Sequence, residues 1–235
     1  MPVTSPPSAA AHAPAAPPSA SAPTLPPAAL QRAQALLATG RRQLLGLVGA
    51  PGAGKSTVAQ LLAEALNALQ PGACVVVPMD GYHLANQVLA ALDRAGRKGA
   101  PDTFDAAGYA ALLQRLRQQR PGDATVYAPE YRREVEEAIA NAIAVPAEVP
   151  LVITEGNYLL LAEGDWAAVA ALLDDSWYLA GDDTLRTQRL LARHQRFGRS
   201  AQDAAAWVAG TDAPNALRIA ATQPRARFTL RWGQS

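Results

Sequence analysis

The chain has 235 residues, of which 49% are hydrophobic, a formal net charge of +1 and a single cysteine, Cys74. This length suffices for one sizeable α/β core. The small net charge gives no indication of nucleic acid or a membrane as a partner. One cysteine excludes an internal disulfide framework and a cysteine metal cluster, and it fits a reducing cytoplasm.

The first 27 residues are almost entirely Ala, Pro and Ser. They hold no apolar run long enough for a signal peptide or a membrane span, and no basic residue for a transit peptide. Such a composition buries too little apolar surface to offset chain entropy. We therefore expect residues 1–27 to be a disordered tail and residues 28–235 to form a single domain, with a short helix at 30–37 leading into the first strand.

The segment "GAPGAGKS" at residues 49–56 has the spacing of a phosphate-binding loop. An apolar run at 44–48 predicts a buried strand before it, and apolar residues at helical spacing predict a helix after it. In such a loop Lys55 reaches the β- and γ-phosphates and the Ser56 hydroxyl binds Mg²⁺. The expected nucleotide contacts are Gly49, Ala50, Pro51, Gly52, Ala53, Gly54, Lys55, Ser56 and Thr57.

Two further apolar runs predict strands that end at acidic residues. Residues 73–79 lead to Asp80, and residues 150–156 include Glu155 near their end. In open parallel sheets ligands bind beyond the carboxyl ends of the strands, so Asp80 and the phosphate loop should face one crevice. Both carboxylates are candidate oxygen ligands for Mg²⁺, together with Ser56. Alternatively, Asp80 only caps the following helix.

Lysine occurs at two positions, 55 and 98, and every other basic residue in the total of 21 is arginine. A lysine in such a chain indicates a need for a compact ammonium group. Lys98, in the charged loop "GRKGAPDTFD", is therefore a site candidate, unless it was placed by chance in a merely solvated loop. The next segment, residues 125–134, predicts either an edge hairpin or a substrate flap.

Residues 176–181 predict a fourth strand, and residues 182–196 have a helical pattern. One face of this helix carries four arginines spaced by three, four and three residues: Arg186, Arg189, Arg193 and Arg196. The last two have no acidic residue within one turn. The face is either solvated or a lid whose guanidinium groups close on a transferring phosphoryl group.

Two classes of nucleotide-binding protein do not fit these motifs. A GTP switch needs an Asn-Lys-x-Asp motif, which is absent because the only lysines are at 55 and 98. A transporter-type or ring ATPase would normally carry an Asp-Glu pair where this strand has Thr154, Glu155 and Gly156. A small-molecule kinase, with the nucleotide as phosphoryl donor, is what these motifs favour.

The chain resembles the superfamily of uridine kinase, phosphoribulokinase and type I pantothenate kinase. Within it, the chain is most similar to a bacterial nucleoside or nucleotide kinase-like branch often labelled fructose transport system kinases. The resemblance covers residues 43–223 and implies a P-loop NTPase fold of the α/β class, with a mostly parallel sheet flanked by helices and an Arg-bearing helical lid. The matching stretches are "GAPGAGKS", "MDGYHLAN", "RKGAPDTFD", "VYAPEY", "TEGNYLLL", "RLLARH" and "DAPN".

The resemblance also implies roles for individual residues. Asp80 accepts the proton of the acceptor hydroxyl, Glu155 supports the metal and Arg193 belongs to the lid. One departure is Arg132, where relatives often carry Asp, so that an acidic contact is missing or has moved to Glu130. The residues implied to lie at the acceptor pocket are Tyr82, His83, Arg97, Lys98, Asp102 and Asp105.

The sequence thus predicts an ATP- and Mg²⁺-dependent phosphotransferase that acts on a hydroxyl of a small metabolite such as a nucleoside, a sugar or a pantothenate-like compound. The alternative is a regulatory ATPase or nucleotide-dependent binding protein without an acceptor. The motifs allow a homodimer, and they identify neither the acceptor nor the adenine contacts.

Overall fold

A computed structural model describes residues 24–233 of the chain. Most of the segment expected to be a disordered tail, residues 1–23, lies outside the described residues. The first helix begins at Pro27, three residues before the predicted start at residue 30, and ends at Leu37. Proline suits this position because its missing N–H would have no partner in the first helical turn anyway.

The secondary structure alternates between strands and helices over most of the chain. The α-helices are α1 (Pro27–Leu37), α2 (Lys55–Leu69), α3 (Asn86–Ala91), α4 (Ala106–Gln118), α5 (Val169–Leu172), α6 (Asp183–Arg196), α7 (Ala201–Trp207) and α8 (Ala213–Ala220). The strands are β1 (Gln43–Val48), β2 (Cys74–Pro78), β3 (Val126–Arg132), β4 (Glu137–Val145), β5 (Leu151–Gly156), β6 (Asp175–Ala180) and β7 (Phe228–Arg231).

The main sheet has five parallel strands in the order β2-β5-β1-β6-β7. The four predicted strands form its first four positions, which confirms the prediction of an α/β fold with a mostly parallel sheet. Side chains of β1 alternate between two layers: Leu44 and Val48 pack with α4, and Leu45 and Leu47 pack with α1 and α2. Helices therefore cover both faces of the sheet, and the carboxyl ends of the strands remain open for a site.

Strands β3 and β4 form a separate antiparallel hairpin rather than an edge of the main sheet. The hairpin packs against a 3₁₀ helix at Met79–Tyr82, which carries Asp80. A Cβ atom on Gly81 would lie 2.3 Å from the Pro129 carbonyl oxygen, so only glycine allows this close approach. The sequence analysis identified the first strand of this hairpin and missed both β4 and β7.

Helix α6 passes directly over the phosphate loop. Gly52 has φ +79°, and a Cβ there would lie 2.9 Å from Leu190 Cγ and 3.0 Å from the Arg186 carbonyl oxygen. Both the left-handed backbone and the lack of space require glycine at this point. Within residues 24–233, none of the helices is sufficiently long and apolar to traverse a bilayer.

Candidate active site

The phosphate loop connects β1 to the N-terminus of α2. Gly54 has φ +87° and precedes the helix without a side-chain cap, so the first N–H groups of α2 are free to face an anion. The Lys55 ammonium donates to the carbonyl oxygens of Gly49 at 2.9 Å and Ala50 at 3.2 Å, and to Asn157 Oδ1 at 2.7 Å. Burial lowers the pKa of Lys55, while the carboxylates of Glu155 and Asp80 oppose that effect.

Glu155 lies between the loop and Asp80 because of the strand order. In the register of the sheet it is opposite Leu47 of β1 on one side and Pro78 of β2 on the other. Its Oε1 accepts a hydrogen bond from Ser56 Oγ at 2.7 Å. Burial raises the pKa of this carboxyl group above its ordinary value. A hydroxyl and a buried carboxylate side by side are the oxygen donors that a hard cation takes.

Asp80 follows β2 and lies within the 3₁₀ helix, so it is not an N-cap, and the capping alternative is excluded. Its Oδ2 accepts a hydrogen bond from Arg133 Nη2 at 3.2 Å. Burial by itself would raise the pKa of Asp80, but the charges of His83, Arg133 and Lys55 hold it below its ordinary value. Asp80 is therefore ionised at neutral pH.

The four arginines of α6 have different environments. Arg186 forms an ion pair with Asp183 at 2.9 Å and donates to the Pro51 carbonyl oxygen at 3.4 Å. Arg193 is partly buried on the Asp80 side of the loop, where desolvation, and next the charge of Arg133, lower its pKa. In the described residues it forms no ion pair or side-chain hydrogen bond. Arg189 and Arg196 are both exposed, so the solvated alternative applies to these two.

A cavity of about 390 Å³ lies on the Asp80 side of the phosphate loop. The predicted residues that it brings together, from the loop, two strand ends, the charged loop and α6, are Pro51, Gly52, Lys55, Ser56, Asp80, His83, Lys98, Glu155 and Arg193. The His83 ring packs on Phe104 and Tyr131 with centroid distances of 4.0 and 4.6 Å. Its Nδ1 bonds to the Asp80 carbonyl oxygen at 2.8 Å, and burial lowers its pKa.

A second cavity, of about 380 Å³, lies on the other side of the same loop. It is bounded by the loop residues Ala50 and Ala53, the start of α6, helix α8 and Trp232, which follows β7. The indole nitrogen of Trp232 would be 2.7 Å from a Cβ on Gly54, so this side chain packs tightly on the loop. The two cavities share Gly52 as a lining residue.

Seven of the predicted site residues line neither of these two cavities: Gly49, Gly54, Thr57, Tyr82, Arg97, Asp102 and Asp105. Arg97 forms an exposed ion pair with Asp102 at 2.7 Å, and Asp105 caps α4 by accepting from the Gly108 N–H at 2.8 Å. Tyr82 is half-buried against Tyr109. Thr57, predicted as a nucleotide contact, is exposed on the first turn of α2.

Lys98 lines the first cavity, but its ammonium group is already bonded to protein. It donates to Asn86 Oδ1 and to the Glu136 carbonyl oxygen, both at 2.6 Å. It also lies 5.1 Å from the centre of the Tyr131 ring. Lys98 therefore ties the turn of the β3–β4 hairpin to the charged loop, and this turn carries Arg133 to Asp80.

Sequence reasoning missed several residues that line the first cavity. Arg132 turns outward and pairs with Glu130 at 2.6 Å, whereas its neighbour Arg133 enters the cavity. The segment after α6 was also overlooked, although part of it matched the family motif "DAPN". It contributes Arg199, Trp207 and Asp212, and the last of these pairs with His194 Nε2 at 2.7 Å.

The chain is similar to known proteins of a kinase family. A model of the phosphoribulokinase / uridine kinase family matches residues 44–216. The Escherichia coli (strain K12) protein YggC, itself described as uncharacterized, is 38% identical over 181 residues, which are 76% of this chain and 73% of that protein. A Schizosaccharomyces pombe protein described as a candidate uridine kinase is 33% identical over 168 residues, covering 69% of this chain and 71% of its own.

Solved structures show the same fold. A protein from Silicibacter sp. TM1040, described as a candidate fructose transport system kinase, is 37% identical with a TM-score of 0.76 and covers 86% of this chain and 98% of that one. YFH7 from Saccharomyces cerevisiae, at 17% identity and a TM-score of 0.77 over 88% and 99% of the two chains, shares the fold alone. Because the family model spans more than half of the sequence, the chain belongs to the phosphoribulokinase / uridine kinase family of P-loop kinases.

Proposed function

We propose that the protein transfers the γ-phosphoryl group of ATP to a hydroxyl group of a small metabolite. The observation that carries this proposal is the cavity beside the phosphate loop, which brings Lys55, Ser56, Asp80, Glu155 and Arg193 together with room for a second molecule. An ATPase that transfers the phosphoryl group to water also uses carboxylates, so it is the space of about 390 Å³ beside Asp80 that favours a small-molecule acceptor. The second cavity, across the loop, is the place for the nucleoside of the donor.

In the proposed reaction the acceptor oxygen attacks the γ-phosphorus while the bond from phosphorus to the leaving ADP oxygen breaks. Asp80 takes the proton from the acceptor hydroxyl, which its ionised state allows. Lys55 and the N–H groups at the start of α2 hold the donor phosphates. The Arg193 guanidinium group, which has no carboxylate partner among the described residues, binds the transferring phosphoryl group.

Ser56 and Glu155 are the residues that fit Mg²⁺, with Asp80 nearby, because a hydroxyl and carboxylates are hard oxygen donors. In the described residues no group of three or more His, Cys, Asp and Glu side chains could hold a metal by itself. That suits Mg²⁺ in kinases, which is commonly bound by one or two carboxylates together with substrate phosphates. The chemistry that Mg²⁺ supplies when bound is neutralisation of phosphate charge.

Acceptor-dependent ADP release tests the proposal. The purified protein is incubated with ATP and Mg²⁺ and a panel of hydroxyl compounds that includes nucleosides, sugars, sugar phosphates and pantothenate. ADP release that rises with one acceptor, with a phosphorylated product detected by mass spectrometry, is the expected result. ADP release that is the same with and without every acceptor would instead identify a regulatory ATPase.

A further inference from the structure

Among the described residues, the cavity beside Asp80 contains one cationic group that has neither a side-chain hydrogen bond to the protein nor a role in the proposed reaction. Five cationic side chains line it: Lys55, Lys98, Arg133, Arg193 and Arg199. Three of them are already bonded to the protein, Lys55 by the loop and Asn157, Lys98 by the hairpin turn and Arg133 by Asp80. Of the other two, Arg193 is assigned to the transferring phosphoryl group, which leaves Arg199.

Arg199 has no acidic partner within residues 24–233, where none of the ion pairs involves it. Its guanidinium group instead lies 3.8 Å from the centre of the Trp207 ring. Stacking on an aromatic face fixes the plane of a guanidinium group and leaves its N–H donors at the edge available. Both side chains line the cavity that contains Asp80, and neither lines the cavity across the loop.

The backbone on both sides of Arg199 is also held in place. Gly198, two residues beyond the end of α6, has φ +95°. Its N–H donates to the Gln195 carbonyl oxygen at 3.0 Å, and the Arg199 N–H donates to the His194 carbonyl oxygen at 3.1 Å. These two bonds form a Schellman motif, a common way to close a helix. The next residue, Ser200, caps α7 through the Asp203 N–H. Arg199 thus lies in the short connection, residues 197–200, between two capped helices.

A rigid guanidinium group without a carboxylate partner is suited to bind an anion in a forked, two-bond geometry. A neutral acceptor would offer Arg199 hydroxyl or carbonyl oxygens, which form weaker hydrogen bonds with a guanidinium group than a carboxylate or phosphate does. We propose that Arg199, held on Trp207, binds an anionic group of the acceptor, so that the acceptor is a carboxylated or phosphorylated hydroxy compound. This inference rests on the proposed function, since it assigns the acceptor class of the same site.

The test measures binding directly and does not depend on turnover. Isothermal titration calorimetry is run on the full chain with Mg²⁺ and a non-hydrolysable ATP analogue, using compounds in matched pairs. Pantothenate against pantothenol and glycerate against glycerol test a carboxylate, and ribulose 5-phosphate against ribulose tests a phosphate. At least one anionic member should bind tenfold or more tightly than its neutral partner, and the pair in which this occurs identifies the anion.

Three variants connect the binding to Arg199. Arg199→Gln should weaken binding of the anionic probe by about ten- to a hundredfold, the loss expected for a hydrogen bond between charged groups. Arg199→Lys keeps the charge but loses the planar, forked arrangement of donors, so its affinity for the anionic probe should lie between those of the wild type and Arg199→Gln. It also provides the test if Arg199→Gln does not fold. Arg196→Gln, which removes an exposed arginine three residues away, should bind as the wild type does.

Three results would overturn the inference: no anionic probe binds, the neutral partners bind equally well, or Arg199→Gln binds like the wild type. The ADP-release assay separates this failure from failure of the proposed function. Phosphorylation of a neutral acceptor alone would refute the anion site while leaving the kinase activity in place. Anion binding that depends on Arg199, without phosphorylation of any compound, would leave the anion site in place and refute the proposed transfer.

Discussion

Replacing Lys98 by methionine should destabilise the fold, although Lys98 lines the cavity. The change keeps the length of the side chain and removes its charge. It leaves Asn86 Oδ1 without its donor and removes one of two donors from the Glu136 carbonyl oxygen, which Asn86 Nδ2 still contacts at 3.1 Å. The Lys98 side chain is 15% exposed, so water replaces these bonds only in part.

The magnitude follows from these contacts. Hydrogen bonds made by a charged group contribute about 1.5–3 kcal/mol, and an ammonium group over an aromatic ring adds about 0.5–1 kcal/mol. Burial of the ammonium group, which lowers its pKa, offsets part of this sum. We expect Lys98→Met to lower the free energy of unfolding by about 2 kcal/mol. A residue that served only the acceptor would change it by less than about 0.5 kcal/mol.

Urea denaturation followed by circular dichroism measures the difference, because the midpoint shifts in proportion to stability when the slope is unchanged. Arg97→Met is the matched control, one residue earlier in the chain. Its ion pair with Asp102 is about half exposed on both sides, at 48% and 46%, so its loss should cost about 0–1 kcal/mol. Equal midpoints for Lys98→Met and the wild type would refute the structural role of Lys98.

Three further predictions concern the lid, the metal residues and the tail. Arg193→Gln should lower turnover with a good acceptor by roughly 10³-fold, while Arg196→Gln should change it little. Steady-state ADP release measures both variants. Equal rates would mean that the arginine face of α6 is only solvated. Glu155→Gln should raise the melting temperature of the ligand-free protein at mildly alkaline pH, because burial raises the pKa of Glu155 and its ionised form then destabilises the fold. This gain should disappear as the pH falls below the ordinary carboxyl pKa, and a gain independent of pH would contradict the reasoning. Removal of residues 1–23 should change the melting temperature by less than about 3 °C, and a larger drop would show that the segment packs on the core.

Much of the fold could be predicted from the sequence, because its signals are patterns among residues that are close together in the chain. The phosphate loop has glycines and a Lys-Ser pair at fixed spacing, and the buried parallel strands are continuous apolar runs. Since the carboxyl ends of such strands meet at one edge, the position of Asp80 and Glu155 beside the loop followed as well. Strands β4 and β7 were missed because β4 is rich in alanine with little polar alternation, and β7 has four residues, Phe228–Arg231.

The orientation of charged side chains in the loops could not be predicted in the same way. The sequence places Arg97, Lys98 and Asp102 in one charged loop, and only the folded loop decides which of them pair with each other. The sparing use of lysine did indicate that Lys98 has a special environment. That environment is the hairpin turn, which comes from a segment 38 residues away in sequence, and no local pattern contains such a contact.

Phosphoryl transfer by Asp80→Asn tests directly whether Asp80 is the general base, because the change keeps the shape of the side chain and removes its charge. This variant should bind ATP like the wild type while acceptor phosphorylation falls by about 10²- to 10⁴-fold, the usual contribution of a general base. Lys55→Ala, measured alongside, should weaken ATP binding itself. Transfer at the wild-type rate by Asp80→Asn, with an acceptor that the wild type phosphorylates, would contradict the assignment of Asp80 as the base.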